Sequence, residues 1–176
     1  MKTWTFDCKD DRSVFIRHAK VSDGRSMYEG FAEVVEEQKW LPILETSSSL
    51  NQWLEWIDRS RSTRDIILVA FIDETYVGHL TLRPEQWAAS EHVCRLGIIV
   101  RKAFRNTGVG RALMTTAEEA AVLEEYEKIV LSTLADNATA LALYRSLNYR
   151  TIGIRKDQFK MPSGYVDQVL FEKKLV

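Results

Sequence analysis

Seven consecutive residues, Arg105-Asn106-Thr107-Gly108-Val109-Gly110-Arg111, carry the densest chemistry in this sequence. Gly108 and Gly110 lack a Cβ and let the backbone approach a ligand closely. Arg105 and Arg111 bracket them with fixed positive charge. A helical pattern begins at Gly108, so the unpaired N–H groups and the positive dipole end of a helix start meet at the loop. That combination is an anion site, suited above all to phosphate. An isolated Gly-x-Gly also fits a tightly packed helix start, so the loop needs a second signal beside it. A Walker loop is excluded, because it requires Lys and then Ser or Thr after its last glycine, and Arg111 and Ala112 stand there. A Rossmann fingerprint fits no better: no small residue stands at the third position of the pattern, and Thr133 ends the next strand where an acid is needed.

Such a loop needs elements to hold it. Glu91–Val100 reads as a strand feeding it, Gly108–Tyr126 as a long helix, and Lys128–Thr133 as a strand beyond. Strand, helix and strand at this spacing predict a right-handed βαβ unit with parallel strands. Upstream, Ser13–Lys20 alternates as a strand. A helix follows with Met27, Phe31, Val34 and Val35 on one face, then a second with Leu50, Trp53, Leu54 and Ile57. Ile66–Ile72 and Tyr76–Arg83 flank a turn at 73–75 and predict an antiparallel hairpin. Asp136 or Asn137 caps a helix running to Leu147, and Asn148 closes it in a left-handed conformation. Tyr149–Ile154 and Tyr165–Lys173 are the last strands. The order β-α-α-β-β-β-α-β-α-β-β predicts an α/β (α+β) fold with a mixed, mostly antiparallel sheet flanked by helices. No repeat or linker divides the 176 residues, and one domain over 1–176 is expected.

Composition narrows the partners. The net charge of −1 supplies no basic field for nucleic acid. Cys8 and Cys94 form neither a disulfide framework nor a zinc spacing, so no metal is expected and a reducing, cytoplasmic setting is. The first residues carry no apolar signal region, and no apolar run is long enough to span a membrane.

Downstream of the loop lies a second pattern, Asn137-x-x-Ala140-x-x-Leu143-Tyr144 followed by Asn148-Tyr149. Together the two resemble the GCN5-related N-acetyltransferase (GNAT) superfamily. Its pyrophosphate signature, Arg/Gln-x-x-Gly-x-Gly/Ala, is met by Arg105 to Gly110, and the second segment is similar to its Asn-x-x-Ala-x-x-Leu-Tyr and following Gly-Phe. Lys102 stands where Pro is common, and Asn106 and Asn148 replace glycines; Asn tolerates the left-handed backbone. The resemblance implies a splayed parallel strand pair and acetyl-CoA as co-substrate. The backbone of Ile98 and Val100 would pair with the pantetheine arm. The loop from Arg105 through Asn106, Thr107, Gly108, Val109 and Gly110 to Arg111 would hold the pyrophosphate, with Asn137 and Tyr144 beside the pantetheine.

The implied reaction is acetyl transfer straight to an amine, which must first lose a proton. On the family position Tyr144 is the general acid for the departing thiolate. Relatives often carry a Glu base where this chain has Arg95, a side chain that stays charged at neutral pH. Glu91 or His92 is then the candidate base; His79, on the neighbouring strand, reads more simply as exposed or hydrogen-bonded, and Cys94 as a small core residue. Glu33 and Glu37, with Trp40, either line the acceptor pocket and attract a cationic amine or form a solvated face. Arg59, Arg61 and Arg64 either meet the coenzyme's 3′-phosphate or form a solvated turn. The expected activity is N-acetyl transfer to an amino acid, a polyamine, a small xenobiotic amine or a protein N-terminus. A non-catalytic acyl-CoA sensor is the alternative. Acetyl-CoA and an amine are the expected partners, without nucleic acid or membrane; a homodimer is left open.

Overall fold

The structure is a computed structural model that describes residues 2–176, apart from the side chain of Arg61. Strands β1 (Thr3–Asp7), β2 (Ser13–His18), β3 (Ile66–Ile72), β4 (Thr75–Pro84), β5 (Val93–Val100), β6 (Lys128–Leu134), β7 (Arg150–Met161) and β8 (Gly164–Lys174) form one sheet. Its order is β1-β2-β3-β4-β5-β6-β8-β7. Helices α1 (Gly24–Glu36) and α2 (Leu50–Arg59) pack on one face; α3 (Val109–Leu123) and α4 (Ala138–Ser146) belong to the other. Every neighbouring pair is antiparallel except β5 and β6, as the βαβ reading requires.

Alternation builds the two faces. On β3, Ile66, Leu68, Ala70 and Ile72 enter the core beneath α3, while Ile67 and Val69 meet Met27, Trp53 and Ile57 of α1 and α2. That is why Ile66–Ile72 reads as an unbroken apolar run. Helix α3 buries Leu113, Met114, Ala117, Ala120 and Ala121 against the sheet. Burying side chains the size of Leu113 and Met114 contributes about 1.5–3 kcal/mol each. The alanines bring the helix close to the strands, and a left-handed Glu125 (φ 61°) follows its end.

Two features set up the site. The first is a splay: β5 pairs with β6 only from Val93 to Arg95, opposite Lys128 to Val130. Beyond Arg95, β6 continues beside β8 and leaves the edge of β5 open from Leu96 to Val100. The second is a bulge in β4. Ala70 pairs with Gly78 but Phe71 pairs with Tyr76, so Val77 is the extra residue. The bulge puts Tyr76 and His79, three apart in sequence, on the same α1/α2 face. Gly78 follows, and a Cβ there would lie 2.5 Å from the Ile99 carbonyl oxygen, so this close strand approach requires glycine.

The sequence reading missed β1 and ended β7 too early. β1 pairs with β2 across a short turn. β7 runs on past Ile154 because Asp157 (φ 49°) forms a bulge whose N–H donates to Asp167, which also pairs with Lys156. Asn106 (φ 62°) and Asn148 (φ 64°) are left-handed, as the substitutions for glycine imply. Among the described residues, no helix is long and apolar enough to cross a membrane.

Candidate functional site

The splay opens into a cavity of about 590 Å³. One wall is β5 from Leu96 to Val100; the opposite wall is Ser132 to Leu134 of β6 with Asn137, Ala140, Leu143 and Tyr144. Its end is the loop before α3, where Arg105, Asn106, Gly108, Gly110 and Arg111 line the space. Four cations line this cavity, Lys9, Lys102, Arg105 and Arg111, and no acidic residue does. A chain of net charge −1 therefore holds a locally basic pocket.

The loop's shape follows from its residues. Gly108 caps α3 at φ 109°, a conformation costly for any residue with a Cβ. Ala112 N–H donates to Gly108 C=O as the first α3 bond, which leaves the N–H groups of Val109, Gly110 and Arg111 without a helical partner. They open the helix at its positive end. Thr107 and Val109 do not line the cavity with their side chains. The Thr107 hydroxyl donates to Phe104 C=O, and Val109 is fully buried beneath the loop. Thr107 C=O accepts from the backbone N–H of Lys9, so the β1–β2 turn is tied to the loop and delivers a lysine that the sequence reading missed. Only recognition of β1 would have revealed it.

Arg105 does not present a free cation. Its Nη1 and Nη2 donate to both Glu37 oxygens at 2.8 and 2.5 Å, and its Nε donates to Val100 C=O at 2.9 Å. Trp40 donates to Glu37 at 2.6 Å and lies under the Arg105 guanidinium. These bonds hold the Glu37 carboxyl below its usual range, Arg105 foremost. Glu33 is paired in the same way with Arg101, both bonds at 2.8 Å. The expected attraction of a cationic amine by Glu33 and Glu37 is therefore corrected: both carboxylates clamp α1 to the end of β5, and only Trp40 of that trio lines the cavity. Val100 C=O, expected to face pantetheine, already accepts from Arg105.

Tyr144 is buried, and no hydrogen bond engages its hydroxyl among the described residues. Its ring meets Phe171 edge-on at 5.6 Å and Tyr149 at 6.2 Å. Burial pushes its phenol up to about 12, so it holds its proton. Asn137 caps α4 by accepting from Ala140 N–H at 3.2 Å, which leaves its amide N–H₂ as a donor. Glu91 and His92 fall elsewhere. They are exposed at the closed end of β5, where Glu91 C=O accepts from Arg64 and His92 C=O from Glu127 and Lys128. Six residues of strand, about 20 Å, separate His92 from Ile98. Arg64 also bonds Glu124 C=O and lies over Tyr126; neither it nor Arg59 lines the cavity, and the Arg61 side chain lies outside the described residues.

A second cavity of about 480 Å³ lies on the α1/α2 side. It shares Leu41, Gly97, Ile98 and Ile99 with the first, so the two join across the open edge of β5. Phe31, Ile43, Trp53 and Trp56 form its walls; Glu45, His79, Thr81 and Arg83 are among its polar lining. The segment 41–48, in the loop that follows α1, supplies much of this rim. Arg95 points outward and pairs with Glu85 at 2.7 Å. Cys94 is fully buried, with its thiol pushed up to about 12 by burial.

The sequence profile of the acetyltransferase (GNAT) family matches residues 31–149. The chain is 29% identical over 157 residues to L-amino acid N-acetyltransferase AaaT of Escherichia coli (strain K12), covering 88% of this chain and 93% of that protein. It is 32% identical over 94 residues to N-acetylaspartate synthetase of Rattus norvegicus, covering 53% of this chain and 30% of that one. Among solved structures, a GNAT-family acetyltransferase from Streptococcus pneumoniae superposes with a TM-score of 0.85 at 20% identity, over 92% of this chain and 98% of the other. A phosphinothricin acetyltransferase from Sinorhizobium meliloti, in complex with acetyl-CoA, gives 0.85 at 16% identity, over 92% and 88%.

Proposed function

The chain belongs to the acetyltransferase (GNAT) family, and from that premise we propose that it transfers the acetyl group of acetyl-CoA directly to the amine of an amino acid. The observation that carries this reading is the meeting of two cavities across the open edge of β5, one basic and one walled by aromatics. The residues of the first cavity suit the coenzyme: unpartnered helix-start N–H groups, the cations Lys9, Lys102 and Arg111 beside the Glu37-paired Arg105, no acid among the described lining residues, and a strand edge with free backbone groups. The names of the two relatives, an L-amino acid N-acetyltransferase and an N-acetylaspartate synthetase, support an amino acid as acceptor.

Acetyl-CoA supplies an activated thioester; the chain's residues orient it and handle the protons. The loop from Arg105 to Arg111 holds the pyrophosphate, and Ile98 with Asn137 aligns the pantetheine. The acceptor nitrogen enters from the second cavity. Its lone pair forms the C–N bond as the C–S bond breaks, and its proton leaves through the solvent-open rim, where Glu45 is the one carboxylate among the described residues. Tyr144 donates a hydrogen bond to the departing sulfur. Neither cysteine suits an acyl-enzyme: Cys8 and Cys94 are buried and line neither cavity. Direct transfer follows.

Thiol release from acetyl-CoA, followed across a panel of amines with mass analysis of the products, tests this. Release that depends on an amino acid, with the acetylated amino acid as product, is expected. Tight coenzyme binding with no release on any amine would instead mean an acyl-CoA sensor.

A further inference from the structure

Three side chains of β4, His79, Thr81 and Arg83, alternate along the strand and line the second cavity together. Thr81 stands opposite Gly97 in the register, so no side chain covers it at the point where the cavities join. A Cβ on Gly97 would come within 3.3 Å of the Thr81 hydroxyl oxygen. Arg83 lies two residues outward, about 7 Å along the strand, within the reach of its own long side chain.

Charge is sparse here. Among the described residues, Glu45 and Arg83 are the one anion and the one cation lining this cavity. Arg83 lies over the Trp56 ring at 4.6 Å and has no acidic partner among the described residues. Its cross-strand neighbour is Arg95, which Glu85 already neutralises. The position where relatives place a carboxylate therefore adds no negative charge beside Arg83. His79 adds no charge either. Tyr76 bonds its Nδ1 at 2.6 Å across the Val77 bulge, Trp53 packs edge-on against it, and burial pushes the imidazole down to about 3. Arg83 is itself exposed, so it reaches this cavity from its solvent side and an ion pair formed there is partly screened by water.

Resting on the acetyl-transfer reading above, we propose that Arg83 and Thr81 form the acceptor's carboxylate site, so that a carboxylate beside the amine is what selects the substrate. Glu45, on the facing loop, draws the ammonium to the same cavity. The guanidinium supplies parallel donors to a carboxylate oxygen pair, and the Thr81 hydroxyl adds one nearer the joining point. A polyamine meets one carboxylate and a repelling cation here, and a decarboxylated amine leaves Arg83 unpaired.

The test compares each protein L-amino acid with its amide, and the best amino acid also with its decarboxylated amine. An amide's amine is less basic and more often neutral, so its intrinsic reactivity works against the prediction. The wild type is expected to favour the acid over the amide by at least about tenfold in kcat/KM, the value of a hydrogen-bonded charge. Arg83→Gln is expected to lower kcat/KM for the acid by roughly 10- to 100-fold, mainly through KM, and to bring the acid-to-amide ratio near one. Arg83→Lys, which keeps the charge without the fork, should fall between. Acetyl-CoA affinity of each variant reports that the fold persists. Equal use of acid and amide by the wild type, or an unchanged ratio in Arg83→Gln, overturns the carboxylate site and leaves acetyl transfer standing. Absence of thiol release with every compound overturns both.

Discussion

Tyr144→Phe removes one hydroxyl and leaves the packing in place. The ring contacts with Phe171 and Tyr149 persist, and the hydroxyl has no hydrogen-bond partner among the described residues to lose. Stability should therefore change by less than about 0.5 kcal/mol. Catalysis should change far more. The phenol is pushed up to about 12, whereas an ordinary thiol titrates at about 8.5, so full proton transfer to the leaving sulfur is uphill by about 5 kcal/mol. On the proposed mechanism Tyr144 therefore donates a hydrogen bond while charge develops, and solvent completes the protonation. A hydrogen bond to a charged group contributes about 1.5–3 kcal/mol, which is roughly 10- to 150-fold in rate. Thiol release at saturating amine should show kcat reduced within that range, with the acetyl-CoA Kd within about threefold of wild type. Since the phenol keeps its proton up to about pH 12, Tyr144 should cause no decline in kcat between roughly pH 7 and 10. A kcat within twofold of wild type would refute the reasoning and reduce Tyr144 to a packing residue.

Gly110→Glu should weaken acetyl-CoA binding more than about 100-fold, because its Cβ would already sit 3.3 Å from Leu143 and its carboxylate would occupy the phosphate cradle. Gly110→Ala, which requires only a small shift of Leu143, should weaken it less than about tenfold; calorimetric titration separates the two. Glu37→Gln breaks a pair whose side chains are 20% and 24% exposed, and should lower stability by about 1–2 kcal/mol near neutral pH. Arg105 depresses the Glu37 carboxyl in the folded state, so this stability is fully present above about pH 4.5 and disappears as pH falls through the lower folded value. Denaturant unfolding of both proteins should show the gap closing only below pH 4.5; a gap constant into stronger acid would contradict the clamp. Lys9→Ala should weaken acetyl-CoA binding by about threefold to tenfold and flatten its salt dependence, since one cation is lost from the cavity and the Lys9 backbone bond to Thr107 remains.

The parts of the fold governed by local periodicity were legible in the sequence. The apolar run of β3, the amphipathic faces of α1 and α3 and the parallel β5–β6 pair all follow from spacing. So did the left-handed Asn106 and Asn148, because few other residues accept that backbone. β1 escaped because its alternation is short and polar-rich, with only Trp4 buried in its five residues. β7 was cut short because its exposed faces carry no apolar rhythm past Ile154.

Side-chain partnerships were a different matter, since periodicity gives a face and not a partner. Glu33 and Glu37 lie four apart on α1 and read equally well as a solvated face or a trap for cations. What decides between those is the placing of Arg101 and Arg105 just beyond β5, 68 residues away in sequence, where each carboxylate meets a guanidinium. His79 escaped for a related reason. Strict alternation would set Tyr76 and His79 on opposite faces, and only the Val77 bulge turns them to one. Once the imidazole is buried against Trp53 and bonded to Tyr76, it cannot supply the missing base, and the lone charge left on that stretch of β4 is Arg83. The absence of a carboxylate at Arg95 then carries a second meaning. An acid there would lie across the strand pair from Arg83 and compete for it; with Arg95 in that place, Arg83 keeps no cross-strand acidic partner, as the proposed carboxylate site requires.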